Sequence, residues 1–180
     1  ELVRNSYSYF NYLVFFPSYS YLNEVSKHLE GLPLYIQTPD MSETDKEMYL
    51  SEFQTEPQEN KLFLCVLGGI FSEGIDLKGD QVIGVVIVSV GLPQICLERE
   101  LLREHQSYED AYVYPGFNKV LQAAGRLIRS VNDRGVVLLL DERYLSKQYL
   151  DLFPQEWHHA KTTNLHTIEE QLNHFYNQNN

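Results

Sequence analysis

Leu62-Phe63-Leu64-Cys65-Val66-Leu67 runs directly into Gly68-Gly69-Ile70-Phe71-Ser72-Glu73-Gly74-Ile75-Asp76-Leu77. The first six residues are apolar without alternation, the pattern of a strand covered on both faces. The glycines that follow end it in a loop. Four other runs of Val, Ile, Leu, Phe and Tyr have the same character, at residues 12–16, 33–37, 82–90 and 136–140. Helical patterns fill the gaps. Residues 18–29 have Ser18 at the start and Gly31 past the end, and residues 42–53 have Ser42 placed to cap and Asp45 in the first turn. Residues 94–105 and 117–130 are also helical in pattern, and the tail from 144 to 180 reads as two or three helices broken at Pro154. Strands alternating with helices predict an α/β domain around a mostly parallel sheet, followed by a helical C-terminal tail. No internal repeat interrupts this order.

The 180 residues suit one domain, expected to span residues 1–180. The formal net charge of −11, 43% hydrophobic residues and a mean hydropathy of −0.32 exclude disorder as the global answer. No apolar stretch approaches the roughly 18 residues of a membrane span, and no basic segment leads into an apolar one at the N-terminus. Two cysteines, Cys65 and Cys96, each within an apolar run, suit a reducing, cytoplasmic compartment and exclude a disulfide scaffold or a four-cysteine metal cage. The chain begins with Glu1 rather than Met and reads as a piece of a longer protein. Its charge is uneven: residues 1–60 carry −7, 61–120 carry −3 and 121–180 carry −1. An acidic chain makes a poor general trap for nucleic acid, so polyanion binding must come from a local site.

Three stretches could make such sites. In the helical pattern 117–130, Gln122, Arg126 and Arg129 are spaced by four and then three residues, which puts them on one stripe, while Val120, Leu121, Ala124, Leu127, Ile128 and Val131 should face the sheet. The stripe is expected to point out of the domain, and Gly125 within it suggests a close approach by a backbone or a ligand. Two guanidinium groups and an amide could bind a triphosphate; alternatively, Arg126 and Arg129 pair with Asp133 or Asp141. The loop at 68–77 leaves a strand at the end where α/β sheets bind ligands, and its glycines let backbone N–H groups approach phosphate or ribose. Asp76 could accept from a sugar hydroxyl; alternatively, Glu73 and Asp76 are solvated or cap the next helix. In Phe16-Pro17-Ser18-Tyr19, Ser18 and the first N–H groups of the following helix could hold a phosphate of a nucleic-acid strand.

Val136-Val137-Leu138-Leu139-Leu140-Asp141-Glu142 looks like a Mg²⁺-binding strand, but no G-x-x-x-x-G-K-[ST] occurs in the chain to cradle phosphates. Asp141 with Arg143 is better read as fixing the strand end. His158, His159 and His166 lack a matching spacing, so no metal site is expected. The twenty-two Tyr and Phe residues are mostly core.

Together, Phe15 to Tyr19, Phe71 to Leu77, and Gln122 to Arg129 with Asp133, Gly135 and Asp141 to Tyr144 resemble motifs IV, V and VI of superfamily 2 helicases, most of all the second motor domain of the DinG and XPD branch. The resemblance covers roughly residues 10–150, with fifty residues between Asp76 and Arg126. It implies a RecA-like domain that closes over ATP and Mg²⁺ held mainly by an N-terminal motor domain of the same polypeptide. By position it implies Arg129 as the arginine finger and Arg126 as its companion on the γ-phosphate, with Gln122, Glu73, Gly74 and Asp76 facing the nucleotide. Ser18, Tyr19 and Ser72 would face single-stranded DNA. An iron–sulfur cluster, common in this branch, would sit outside this fragment. The expected function is therefore the C-terminal domain of an ATP-dependent DNA helicase, inactive when isolated. The alternative is an accessory nucleic-acid-binding domain of a DinG-like 3′–5′ exonuclease with a vestigial ATP cleft.

Overall fold

Five short runs rich in branched and aromatic residues become five strands in the computed structural model, which describes residues 10–54, 58–72, 82–127 and 134–177. They are β1 (Asn11–Phe16), β2 (Leu34–Ile36), β3 (Lys61–Val66), β4 (Val82–Val88) and β5 (Val136–Leu140). The order in the sheet is β2-β3-β1-β4-β5 and all four pairings are parallel. The three inner strands are largely buried, as their unbroken apolar runs require, while β2 and β5 at the edges are half-exposed.

Parallel strands need crossovers, and the helices supply them. α1 (Tyr19–Ser26) packs on the face carrying Phe16, Leu64 and Val66, through Leu22. α2 (Glu43–Gln54) covers the other face. Its Tyr49 and Phe53 meet Phe63 edge-on at 5.1 and 4.8 Å, and Tyr49 stacks on Phe71 at 4.1 Å. The connection β1-α1-β2 moves outward along the sheet and β2-α2-β3 moves back, so right-handed crossovers place these helices on opposite faces.

The expected helix at 117–130 is shifted. A wide π turn (Glu109–Val113) leads into α4 (Tyr114–Ala124), which starts earlier and ends earlier than its apolar period suggested. Pro115 lacks the N–H that would serve the carbonyl of Ala111 in a continuous α-helix. Arg99 of α3 (Leu97–His105) fills that gap, donating from Nη1 to the Ala111 carbonyl at 2.8 Å. The start of α4 also lies against the end of β4: a Cβ on Gly91, whose φ is +69°, would stand 2.7 Å from the carbonyl oxygen of Gly116. Glycine at both places lets backbone meet backbone.

The chain divides into two units, residues 1–142 and 143–180, at the start of the helical tail. The second contains α5 (Lys147–Leu150) and α6 (Ile168–Asn177). Pro154 ends the first helical stretch and opens a 3₁₀ turn (Gln155–Trp157), while Tyr144, Tyr149, Phe153 and Trp157 contact one another ring to ring. Among the described residues no helix is long and apolar enough to cross a membrane.

Candidate functional site

β1 and β3 are neighbours, with Phe16 opposite Val66, and the N–H of Leu67 extends the ladder by donating to the Phe16 carbonyl at 2.9 Å. The loops that leave these strands therefore emerge side by side at the carboxyl edge of the sheet, where open α/β sheets take ligands.

From β1 come Ser18 and Tyr19. Ser18 has extended backbone and caps α1, its Oγ accepting from the N–H of Tyr21 at 3.2 Å. That bond uses an oxygen lone pair and leaves the hydroxyl hydrogen to donate. Tyr19 is half-buried, and its hydroxyl accepts from Gln37 Nε2 at 2.9 Å. Desolvation pushes the Tyr19 phenol up from its ordinary value, the Gln37 bond opposes this in part, and Asp40 adds to it.

From β3 comes the glycine loop as far as Ser72. Ser72 was expected to face DNA, and here the structure corrects the sequence reading: the residue is 0% exposed, and its hydroxyl donates to the Gly69 carbonyl at 2.8 Å. Its N–H bonds to the same carbonyl at 2.9 Å, so the turn consumes the polar groups of the serine inward. What it offers outward along the chain is its carbonyl oxygen, which accepts from Arg126 Nε at 3.0 Å and Nη2 at 2.7 Å.

Arg126 thus does not continue an outward stripe with Gln122. α4 ends at Ala124, and the next residues close tighter i→i−3 bonds, Arg126 N–H to the Ala123 carbonyl at 3.2 Å and Leu127 N–H to the Ala124 carbonyl at 3.1 Å. That tightening rotates Arg126 off the helical period and onto the loop after β3. Gly125 caps the helix rather than sitting inside it, and it is exposed. Gln122 remains exposed on α4. Arg129, Glu73, Gly74 and Asp76 lie outside the described residues.

Two residues at this edge escaped the sequence reading. Gln37 follows β2, is 1% exposed, and its Oε1 accepts from the N–H of Val66 at 2.9 Å. A glutamine ending an apolar run carries no sign of burial in sequence. Lys119 lies three residues before Gln122, so its period was visible. A Cβ at Gly68 would stand 3.3 Å from its Nζ, and among the described residues its ammonium has no hydrogen bond or ion pair. Ser89, at the end of β4, holds a φ of +71°, uncommon for a side chain of its kind.

The cysteines do not fit an iron–sulfur cluster. Cys65 is fully buried beside Tyr49, with burial pushing its thiol up to about 12, while Cys96 is exposed at the start of α3. Among the described residues no three His, Cys, Asp or Glu side chains group as a metal site requires.

The helicase C-terminal domain family model matches residues 5–160. The ATP-dependent DNA helicase CHL1 of Debaryomyces hansenii is 30% identical over 169 residues, covering 77% of this chain and 20% of the relative. The ATP-dependent DNA helicase XPD of Sulfolobus acidocaldarius is 33% identical over 147 residues, covering 76% and 25%. DinG of Photobacterium profundum is 29% identical, covering 76% and 21%. The chain thus spans about a fifth to a quarter of the length of these relatives. A solved XPD helicase superposes with a TM-score of 0.65 at 30% identity, over 79% of this chain and 26% of that one. The C-terminal domain of the DEAD-box protein Dbp5, at 14% identity and a TM-score of 0.53, shares the fold alone. The parallel five-stranded sheet flanked by helices is the RecA-like fold of the XPD neighbours, and the chain belongs to the helicase C-terminal domain family.

Proposed function

We propose that this chain is the second motor domain of an ATP-dependent DNA helicase, one that completes an ATP site opened by an N-terminal motor domain of the same polypeptide. The observation that carries the reading is the bond between Arg126 and the Ser72 carbonyl. It joins the segment resembling motif VI to the segment resembling motif V. By the resemblance, Arg129, Glu73, Gly74 and Asp76, with Gln122, would face the nucleotide. ATP and Mg²⁺ supply the phosphoryl chemistry when bound by the partner domain. This chain's own contribution is guanidinium charge placed toward the transferring group.

Single-stranded DNA would run along the carboxyl edge. Ser18 offers a hydroxyl hydrogen, Tyr19 a half-exposed ring, and Lys119 an ammonium group beside Gly68 that has no hydrogen bond or ion pair among the described residues. Hydrolysis would release the closure between domains and let this grip shift along the strand.

The test is ATPase and strand-unwinding activity of the full-length protein with and without single-stranded DNA. The reading expects turnover that DNA stimulates and that Arg129→Ala removes. DNA binding without any ATP turnover would instead return the vestigial-cleft, accessory-domain reading.

A further inference from the structure

Gln37, just after β2, ties the start of α1 to the end of β3 by hydrogen bonds and has almost no contact with solvent. Its Nε2 donates to the Tyr19 hydroxyl at 2.9 Å, its Oε1 accepts from Val66 N–H at 2.9 Å, and its backbone N–H donates to the Leu64 carbonyl at 2.9 Å. The amide also lies against Gly69, where a Cβ would stand 2.7 Å from Nε2. From Gly69 the polar chain goes on: its carbonyl takes both the N–H and the hydroxyl of Ser72, and the Ser72 carbonyl takes Arg126.

We propose that Gln37 is a positioning residue that couples the DNA-gripping edge of this domain to its nucleotide-facing arginine segment, through Tyr19 on one side and the Gly69–Ser72 turn on the other. This deepens the motor reading above and rests on it. The reason lies in where the bonds are made. In a buried site each donor and acceptor must keep a partner, because water cannot replace one that moves away. A displacement of Tyr19 by a bound strand therefore cannot be absorbed at the surface; the amide must follow the hydroxyl, and Gly69, in contact with that amide, must give way or follow. A methyl group at position 69 would block the approach, so glycine there is part of the link. The turn it belongs to ends at the carbonyl that holds Arg126.

The test uses the full-length protein. The affinity for a labelled oligothymidylate is measured with and without a non-hydrolysable ATP analogue, and the ratio of the two is the coupling. Gln37→Met keeps volume and removes both side-chain bonds. Tyr19→Phe removes only the link between ring and amide, on a half-exposed residue that leaves the core intact. The expected result is a wild-type ratio within the usual allosteric range of about 5- to 150-fold, falling to within about twofold of unity in both variants. A variant that merely unfolds in part loses active molecules in both arms equally and keeps its ratio. Either variant retaining the wild-type ratio overturns the relay while the motor reading stands. A wild-type protein whose DNA affinity ignores the nucleotide overturns both.

Discussion

Arg126 grips the carbonyl oxygen of Ser72 with two of its N–H groups, at 3.0 Å from Nε and 2.7 Å from Nη2, across fifty-four residues of sequence. The carbonyl belongs to a fully buried residue, and the guanidinium is only half-buried. Folding therefore places a charged donor against a main-chain acceptor that has little access to water. Such a bond counts for more than a neutral one, because the acceptor cannot recover its loss from solvent.

Arg126→Ala should accordingly lower stability by about 1–3 kcal/mol, the range for leaving a buried acceptor unpaired. Denaturant unfolding of the 180-residue chain measures it, with the midpoint shifted and the slope unchanged. A variant as stable as the parent would mean that the loop after β3 is held by something else.

The positions of the strands and the parallel type of the sheet could be read in the sequence, because inner parallel strands must be apolar on both faces; their order in the sheet could not. The run 62–67 became the inner strand β3 almost residue for residue, and the equally apolar run 136–140 became β5, half-exposed at the sheet edge. The position of α4 was harder to read. Its apolar period continues past Ala124 through Leu127, but the backbone tightens there, and period alone does not show where i→i−4 bonding stops. Arg126 consequently turned inward. Ser72 was misplaced for a related reason: a serine after glycines reads as exposed loop, whereas its hydroxyl and N–H both close on Gly69. Gln37 gave no signal, since burial of a lone amide depends on partners 18 and 29 residues away.

The Lys61 side chain is 8% exposed and pairs with Glu52 at 2.8 Å, the same carboxylate accepting from Tyr35 at 3.0 Å. The bonds from Lys61 and then from Tyr35 hold the Glu52 carboxyl below its ordinary range. A depressed carboxylate contributes stability above its unfolded pKa and loses it as pH falls through the folded value. Glu52→Gln should therefore cost stability at pH 7, and the difference from the parent should shrink as pH drops below about 4. With the Glu52 side chain 46% exposed, solvent screening limits the cost to about 0.5–1 kcal/mol. Melting curves of both chains across pH 3–7 check the sign.

The two thiols should differ sharply. Cys96 is exposed, whereas Cys65 is fully buried with its thiol pushed up to about 12. Since the thiolate is the reactive form, an aromatic disulfide reagent should titrate one thiol per native chain quickly and the second only in denaturant. Rapid reaction of both in the native chain would contradict the packing of Tyr49 against Cys65 and Phe63 of β3.

Binding of single-stranded DNA by this chain alone should be weak and steeply salt-dependent, since a net charge of −11 leaves only a few local phosphate contacts. Lys119 is the described cation best placed to make one. Its replacement by Ala should weaken binding about equally for all sequences and reduce the log–log salt slope by about 0.7, the value for one counterion on a single strand. Binding isotherms at four or five salt concentrations give both numbers. An unchanged slope would remove Lys119 from the DNA edge.

With two of the donors on Arg126 committed to Ser72, the role of the arginine finger is expected to fall to Arg129, three residues on. Its charge would lie across the cleft from the γ-phosphate and act on charge that develops only during phosphoryl transfer. Such an interaction lowers the barrier without much affecting ATP affinity in the ground state, so its removal should act on kcat and leave KM nearly unchanged. Trans-acting arginines are worth about 10³ to 10⁵ in rate, and Arg129→Ala in the full-length protein should nearly abolish ATPase and unwinding. Lysine should rescue poorly, because one ammonium keeps the charge but loses the planar fork that can span two oxygens. If Arg129 instead pairs with Asp133 or Asp141, its removal lowers the melting temperature while each folded molecule turns over at the normal rate. Steady-state kinetics and melting curves of the same full-length variant separate the two, and a destabilised protein with intact kcat would take Arg129 out of the ATP site.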